Sequence, residues 1–165
     1  MTDIVSKSSR GEPGACATTA MALRSFRPDA RMVDVTSMLR RAGLRPTLQR
    51  LSLGKLLYAK GDRHVTAELL HFEAITARVP VSLATVYNTL HQFTEAGLLR
   101  EVAVDGARTY FDTNLSNHHH FFVEGEEQVM DIPAESLAIG ALPEAPAGYE
   151  IARVDVVVRL RKIAV

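Results

Sequence analysis

From Val33 to Gly97 the apolar positions recur with a helical period, and beyond Gly97 the period shortens to two. Val35, Met38, Leu39 and Ala42 stand at i, i+3, i+4 and i+7, which predicts a first helix capped by Gly43. Arg45-Pro46-Thr47 restarts the chain, and Leu48, Leu51, Leu56 and Leu57 predict a second helix up to Lys60, broken by Gly61-Asp62. Thr66 is placed to cap a third helix whose apolar face is Ala67, Leu69, Leu70, Ala74 and Ile75. After Pro80, Ser82 caps a fourth, in which Leu83, Val86, Tyr87, Leu90 and Phe93 share one side and Gly97 ends the run.

Leu98 to Val104 and Ala107 to Phe111 then read as strands around Asp105-Gly106, a turn pair in which both positions tolerate positive φ. Helices followed by a β-hairpin give the order of a winged helix-turn-helix. Polar Thr113–Asn117 leads into a strand from His118 to Val123, a turn at Gly125-Glu126 and a partner strand from Gln128 to Ile132. Pro133 to Leu142 suits a short helix, Pro143–Gly148 a loop, and Tyr149 to Arg161 a last strand with Ala152, Val154, Val156, Val158 and Leu160 on one face. The fold class is therefore α+β: a flexible extension over 1–31, a winged-helix domain over 32–112, a hinge over 113–117 and a small α/β domain over 118–165. Three strands and one helix are too thin to bury both sheet faces, so the back domain is expected to pair with a second copy.

Composition narrows the setting. The 165 residues are 47% apolar and 23% charged, which suits a globular chain with a real core. Lys+Arg and Asp+Glu both total 19, so net charge points to neither nucleic acid nor membrane. Along the chain, however, residues 1–32 carry +2, residues 33–112 carry +2 and residues 113–165 carry −4, a mildly basic front joined to an acidic back. No apolar run approaches the ~18–20 residues that span a bilayer, and none follows Lys7 and Arg10 as in a secretory signal, so a cytoplasmic protein with no membrane partner is expected. The single cysteine, Cys16, has no partner for an internal disulfide, and no Cys-x-x-Cys is present to hold structural zinc.

Two groups of residues carry candidate chemistry. With the apolar stripe of the fourth helix turned inward, Ser82, Ala84, Thr85 and Asn88 fall on or near its outer side. Short polar side chains there can approach base edges in a major groove, and Asn pairs bidentately with adenine. Arg100 and Arg108 on the following hairpin are expected to place cations on phosphates. The second group is His118-His119-His120. On a strand His118 and His120 converge while His119 points away, and such a pair can ligate a first-row metal or haem iron. Asp112, Asp131 and His64 are available to complete a site. His-Glu-x-x-His and Gly-x-Ser-x-Gly are both missing from the sequence, so an enzyme is not expected.

Gly43-Leu44-Arg45-Pro46-Thr47-Leu48-Gln49-Arg50, His64-Val65-Thr66-Ala67-Glu68-Leu69-Leu70 and Ser82-Leu83-Ala84-Thr85-Val86-Tyr87-Asn88-Thr89-Leu90 together resemble the ferric uptake regulator family, over roughly Val33–Arg161. Within it, the segments around Asp105-Gly106, the His triplet and Gly148-Tyr149-Glu150-Ile151-Ala152-Arg153 are similar to the iron response regulators of alphaproteobacteria. The resemblance implies a homodimer that binds double-stranded DNA at A/T-rich near-palindromic operators and controls iron and haem-biosynthesis genes. It implies that Arg45 contacts the DNA backbone or minor groove and that Tyr87 and Asn88 contact bases. It assigns metal ligation to His64, Asp112, His118, His120 and Asp131, and haem binding to His118, His119 and His120, with haem weakening DNA binding. A sensor of Mn, Fe or Zn that does not use haem is the alternative. Glu124-Gly125-Glu126-Glu127 stands where many relatives hold a Cys-x-x-Cys, so no structural four-cysteine zinc is expected. Cys16 is followed by Ala17 rather than by the Pro of a haem regulatory motif, and Phe121 and Val154 replace histidines of many metal-sensing relatives.

Overall fold

The computed structural model describes residues 33–104 and 108–163; the extension over 1–31 and the Asp105-Gly106 turn lie outside the described residues. Four helices come first: α1 (Val35–Arg41), α2 (Leu48–Tyr58), α3 (Ala67–Thr76) and α4 (Leu83–Glu95). Each begins where a short polar side chain takes up a free backbone N–H. Asp34 accepts from Ser37 N, Thr47 from Arg50 N, Thr66 from Leu69 N and Ser82 from Thr85 N. Gly43 and Gly97 adopt φ of +75° and +69°, which lets Leu44 N reach Leu39 O and Leu98 N reach Phe93 O, closing α1 and α4.

Two three-stranded sheets complete the architecture. The first joins β1 (His64–Val65), β2 (Arg100–Val102) and β3 (Tyr110–Asp112) in the antiparallel order β1-β3-β2. The second joins β4 (His118–Val123), β5 (Gln128–Pro133) and β6 (Val157–Leu160), with β4 central, antiparallel to β5 and parallel to β6. Val35, Leu39, Leu53, Leu57, Leu70, Val86, Leu90, Phe93 and Phe111 form the helical core. A smaller cluster of Val102, Val104, Tyr110, Phe122 and Val129 packs the wing strands against the second sheet. The two sheets therefore share apolar contacts as well as the polar residues between them.

Four expectations are corrected. The Pro133–Leu142 helix is a single 3-10 turn, Ala134–Ser136, because Leu137 is already extended and Ile139 and Leu142 find nothing to bury against. The Tyr149–Arg161 strand forms a ladder only at Val157–Leu160. Its register sets Val157 opposite His120, so residues before 155 run past the start of β4 and have no strand among the described residues to pair with. Leu48 is 79% exposed, since at the first position of α2 it projects beyond the core that Leu53 and Leu57 reach. In α3 the buried face is Ala67, Leu70 and Ala74, which turns Leu69 and Ile75 to solvent. None of the described helices is long and apolar enough to cross a membrane.

Candidate metal centre and nucleic-acid interface

Strand register assembles the first site. β1 and β2 both pair with β3 so that His64 and Arg100 each lie opposite Asp112, making one row across the sheet. From the second sheet, His118 and His120 share a face of β4, and Asp131 lies opposite His120 on β5. His64, Asp112, His118, His120 and Asp131 thus each offer one donor atom, all within 4.8 Å of one another. These are the five residues that the sequence marked for metal.

The spacing is that of a coordination shell. His118 Nε2 lies 3.0 Å from Asp112 Oδ2 and 3.1 Å from His120 Nε2. His64 Nε2 lies 3.2 Å from Asp131 Oδ1 and 3.7 Å from Asp112 Oδ2. Donors about 2.0–2.2 Å from a common ion lie about 2.8–3.6 Å apart, so these edges suit a small first-row ion. Asp112 is fully buried and His118 and His120 are 3% and 1% exposed. His64 Nε2 is buried with no hydrogen-bond partner although it faces a carboxylate. Burial holds the His64 imidazole below its ordinary range, against the opposing pull of Asp112 and Asp131. Burial thus favours the uncharged ring, the form that ligation requires. Three imidazoles and two carboxylates suit Zn, Mn or Fe(II).

Neighbours hold these donors in place. Asn114 N donates to Asp112 Oδ1 at 2.8 Å, leaving Oδ2 for the cluster, and Asn114 Nδ2 donates to Asp131 Oδ2 at 2.9 Å, leaving Oδ1. His118 Nδ1 donates to Ser116 O at 2.9 Å, which fixes the tautomer with the Nε2 lone pair inward. The expected hinge therefore contains the residues that orient the site. Asn114 was missed by the sequence reading, although Asp-x-Asn in a polar stretch is an Asx-turn signal. Thr113 is tied back to the first sheet through Arg63, its N donating to Arg63 O at 3.1 Å and its Oγ1 accepting from Arg63 N at 2.8 Å.

Two of the assigned residues stand elsewhere. His119 lies opposite Ile132 on the other face of β4, buried and apart from the cluster. Arg100, expected on phosphates, points inward instead, because the register that aligns it with Asp112 turns its side chain onto the ligand face. Its Nη2 lies 3.1 Å from Asp112 Oδ2, 2.7 Å from His118 Nε2 and 3.1 Å from His120 Nε2.

The outer face of α4 forms the second site. Ser82 and Asn88 are exposed, as is Arg45 at the entry to α2. Thr85 and Asn88 line a polar groove with Thr47, Gln49, Arg50 and Gln92. Arg50 clasps Gln92 Oε1 through Nε at 3.1 Å and Nη2 at 2.9 Å, fixing α2 against α4. Tyr87 is half-buried, its hydroxyl donating to Glu68 Oε1 at 2.5 Å, at the edge of the apolar side on which its helical spacing put it. Arg108 on the wing forms an ion pair with Glu127 of the second sheet's turn.

A model of the ferric uptake regulator family matches residues 41–158. The chain belongs to the ferric uptake regulator family. It is 34% identical over 92 residues to the ferric uptake regulation protein of Escherichia coli (strain K12), a match that covers 56% of this chain and 62% of that protein. The chain thus spans about three-fifths of the length of the curated relatives it matches. Among solved structures, the ferric uptake regulator of Pseudomonas aeruginosa, determined with manganese, is 27% identical, with a TM-score of 0.60 over 78% of this chain and 98% of that one. The Vibrio cholerae ferric uptake regulator shares the fold at 21% identity, with a TM-score of 0.62 over 78% of this chain and 100% of that one. The α+β architecture read from the sequence is that of these regulators.

Proposed function

We propose that this protein is a transcription regulator whose affinity for DNA is set by a ligand held at the five-donor cluster. The observation that carries the reading is the origin of the donors: His64 and Asp112 come from the winged-helix sheet, His118, His120 and Asp131 from the second. A bound divalent cation would supply the positive centre that these facing lone pairs need. Holding the five donors together fixes one sheet against the other, and with it the angle at which α4 is presented. Arg45, Ser82, Thr85 and Asn88 then meet DNA on the outer face, Asn88 at base edges and Arg45 at the backbone. Two copies joined through the second sheet would set two such helices about one helical turn apart, as a near-palindromic A/T-rich operator requires. By resemblance, the targets are genes of iron homeostasis and haem biosynthesis, and the protein acts in the cytoplasm without enzymatic activity.

Haem is the second reading, favoured by a cleft of about 500 Å³ beside His64, lined also by Leu69, Arg108, Tyr110 and Val129. Leu69, Tyr110 and Val129 give the cleft apolar surface for a flat ring, while Glu126 and Glu127, the latter paired with Arg108, share the lining and oppose the ring's carboxylates. His118 and His120 are nearly inaccessible, so such a ring reaches His64 first and reaches the triplet only by parting the sheets.

Fluorescence anisotropy of a labelled A/T-rich inverted repeat at fixed salt tests the function, with Mn²⁺, Zn²⁺ and haem added separately. Affinity that changes with Mn²⁺ or Zn²⁺, and no longer does so in His118→Ala/His120→Ala, supports the cation reading. Release by haem alone supports the second. Operator binding that ignores all three ligands overturns both.

A further inference from the structure

The guanidinium of Arg100 sits on the same lone pairs that a cation would use. Register puts it there, since Arg100 is the third residue of the row His64–Asp112–Arg100 across β1, β3 and β2. Its side chain is only 10% exposed. His118 donates through Nδ1 to Ser116 O, so its Nε2 is an acceptor, and it takes a hydrogen from Arg100 Nη2 at 2.7 Å. Asp112 Oδ2 takes another at 3.1 Å. One Nη2 carries two hydrogens, so these two acceptors saturate it while His120 Nε2 stands 3.1 Å away. A lone pair given to an N–H is not available to a metal ion, and a guanidinium held this close adds its charge to that of any ion that enters.

We propose that Arg100 is a built-in rival for the cation position, so that loading the cluster exchanges an arginine for an ion. This rests on the cluster being a cation site. The rival is loosely seated: among the described residues its Nε is buried with no partner, and Nη1 reaches only Ser116 O, at 3.4 Å. Asp112 gives it a single charged partner rather than the paired fork of a structural arginine–carboxylate bridge. Expulsion therefore gives up few good hydrogen bonds, and the device raises the cation concentration at which the site fills without changing any of the five ligands. Because Arg100 belongs to β2, the exchange also reports occupancy to the wing.

The test uses the full chain, freed of metal with a chelator. Co²⁺ is titrated and followed by visible absorption, with a chromophoric chelator as competitor. Arg100→Gln is expected to bind at least tenfold more tightly than the wild type, and Arg100→Lys, which keeps the charge, to stay within about threefold of it. Independently of any variant's folding, the Nε–H resonance of Arg100 in the wild type, assigned through its bonds to the Arg100 backbone, is expected to shift and to exchange faster with water when Zn²⁺ is added. If the wild type binds Co²⁺ and Arg100→Gln binds no more tightly, or if the Arg100 signal is unmoved by Zn²⁺, the rivalry is wrong and the metal centre stands. If no form binds Co²⁺, the metal centre itself fails and the rivalry with it.

Discussion

Asp112→Asn tests the pivot of the site, because this one carboxylate faces His64, Arg100, His118 and His120 while fully buried. The substitution preserves shape and keeps an oxygen to accept from Asn114 N, so the 2.8 Å bond survives. What disappears is the charge opposite Arg100. Stranding one member of a buried ion pair costs about 3–5 kcal/mol. The new amide can donate toward His120 Nε2, 3.5 Å from Oδ2 and left over by Arg100, returning about 1 kcal/mol. The net loss expected in chelator is therefore about 2–4 kcal/mol. Urea unfolding at fixed protein concentration should show this as a midpoint lower by about 1–2 M with unchanged m. Asp112→Asn/Arg100→Gln removes both charges and should recover part of the loss, so the double-mutant cycle should give a coupling of at least about 1.5 kcal/mol. A single-mutant loss under about 1 kcal/mol, or a cycle additive within about 0.5 kcal/mol, would refute the reasoning.

Three further outcomes are expected. Gly54→Ala would place a Cβ 2.6 Å from Val35 Cγ1, so overpacking of about 1–3 kcal/mol outweighs a helix-propensity gain of about 1 kcal/mol; thermal unfolding should show the loss, and Val35→Ala should relieve it. Burial raises the pKa of Tyr58, whose hydroxyl donates to Leu98 O at 2.6 Å, so the folded state holds this proton more tightly than the unfolded one. The stability this contributes is fully present below the ordinary phenol pKa of about 10 and is lost as pH rises beyond it, and Tyr58→Phe should flatten that alkaline decline in urea unfolding. Asn88→Ala should weaken operator binding by about 1–3 kcal/mol in anisotropy while leaving thermal unfolding within about 0.5 kcal/mol of the wild type, since Asn88 is exposed.

Local signals carried far in this chain. Thr47, Thr66 and Ser82 cap where short polar residues precede helical periodicity, and Gly43 and Gly97 end helices because their positive φ suits no other residue as well. The convergence of His118 and His120 followed from the alternation of a strand. Harder to read was anything decided by a partner strand. β1 is two residues long and exists through its pairing with β3, and that pairing brings His64 to the cluster. The inward turn of Arg100 depends on the same register, which no window around residue 100 contains. The last strand was overread for a related reason: alternation continues back to Tyr149, but β4 offers a ladder only from His120 onward. In α3, Ala67, Leu70 and Ala74 of the expected face are buried, while Leu69 and Ile75, which helical spacing places beside them, lie on its exposed flanks.

The most direct test of coupling between the cluster and DNA is the Mn²⁺ affinity of the free protein against that of the protein saturated with operator. The signal of unbound Mn²⁺ in electron paramagnetic resonance reads both. Linkage requires that the two affinities differ by the same factor by which Mn²⁺ changes the affinity for DNA. The expected result is a difference of about fivefold or more, matched in both directions and lost in His118→Ala/His120→Ala. Equal Mn²⁺ affinities in the free and DNA-bound protein would contradict it, leaving the five donors a structural feature with no hold on DNA.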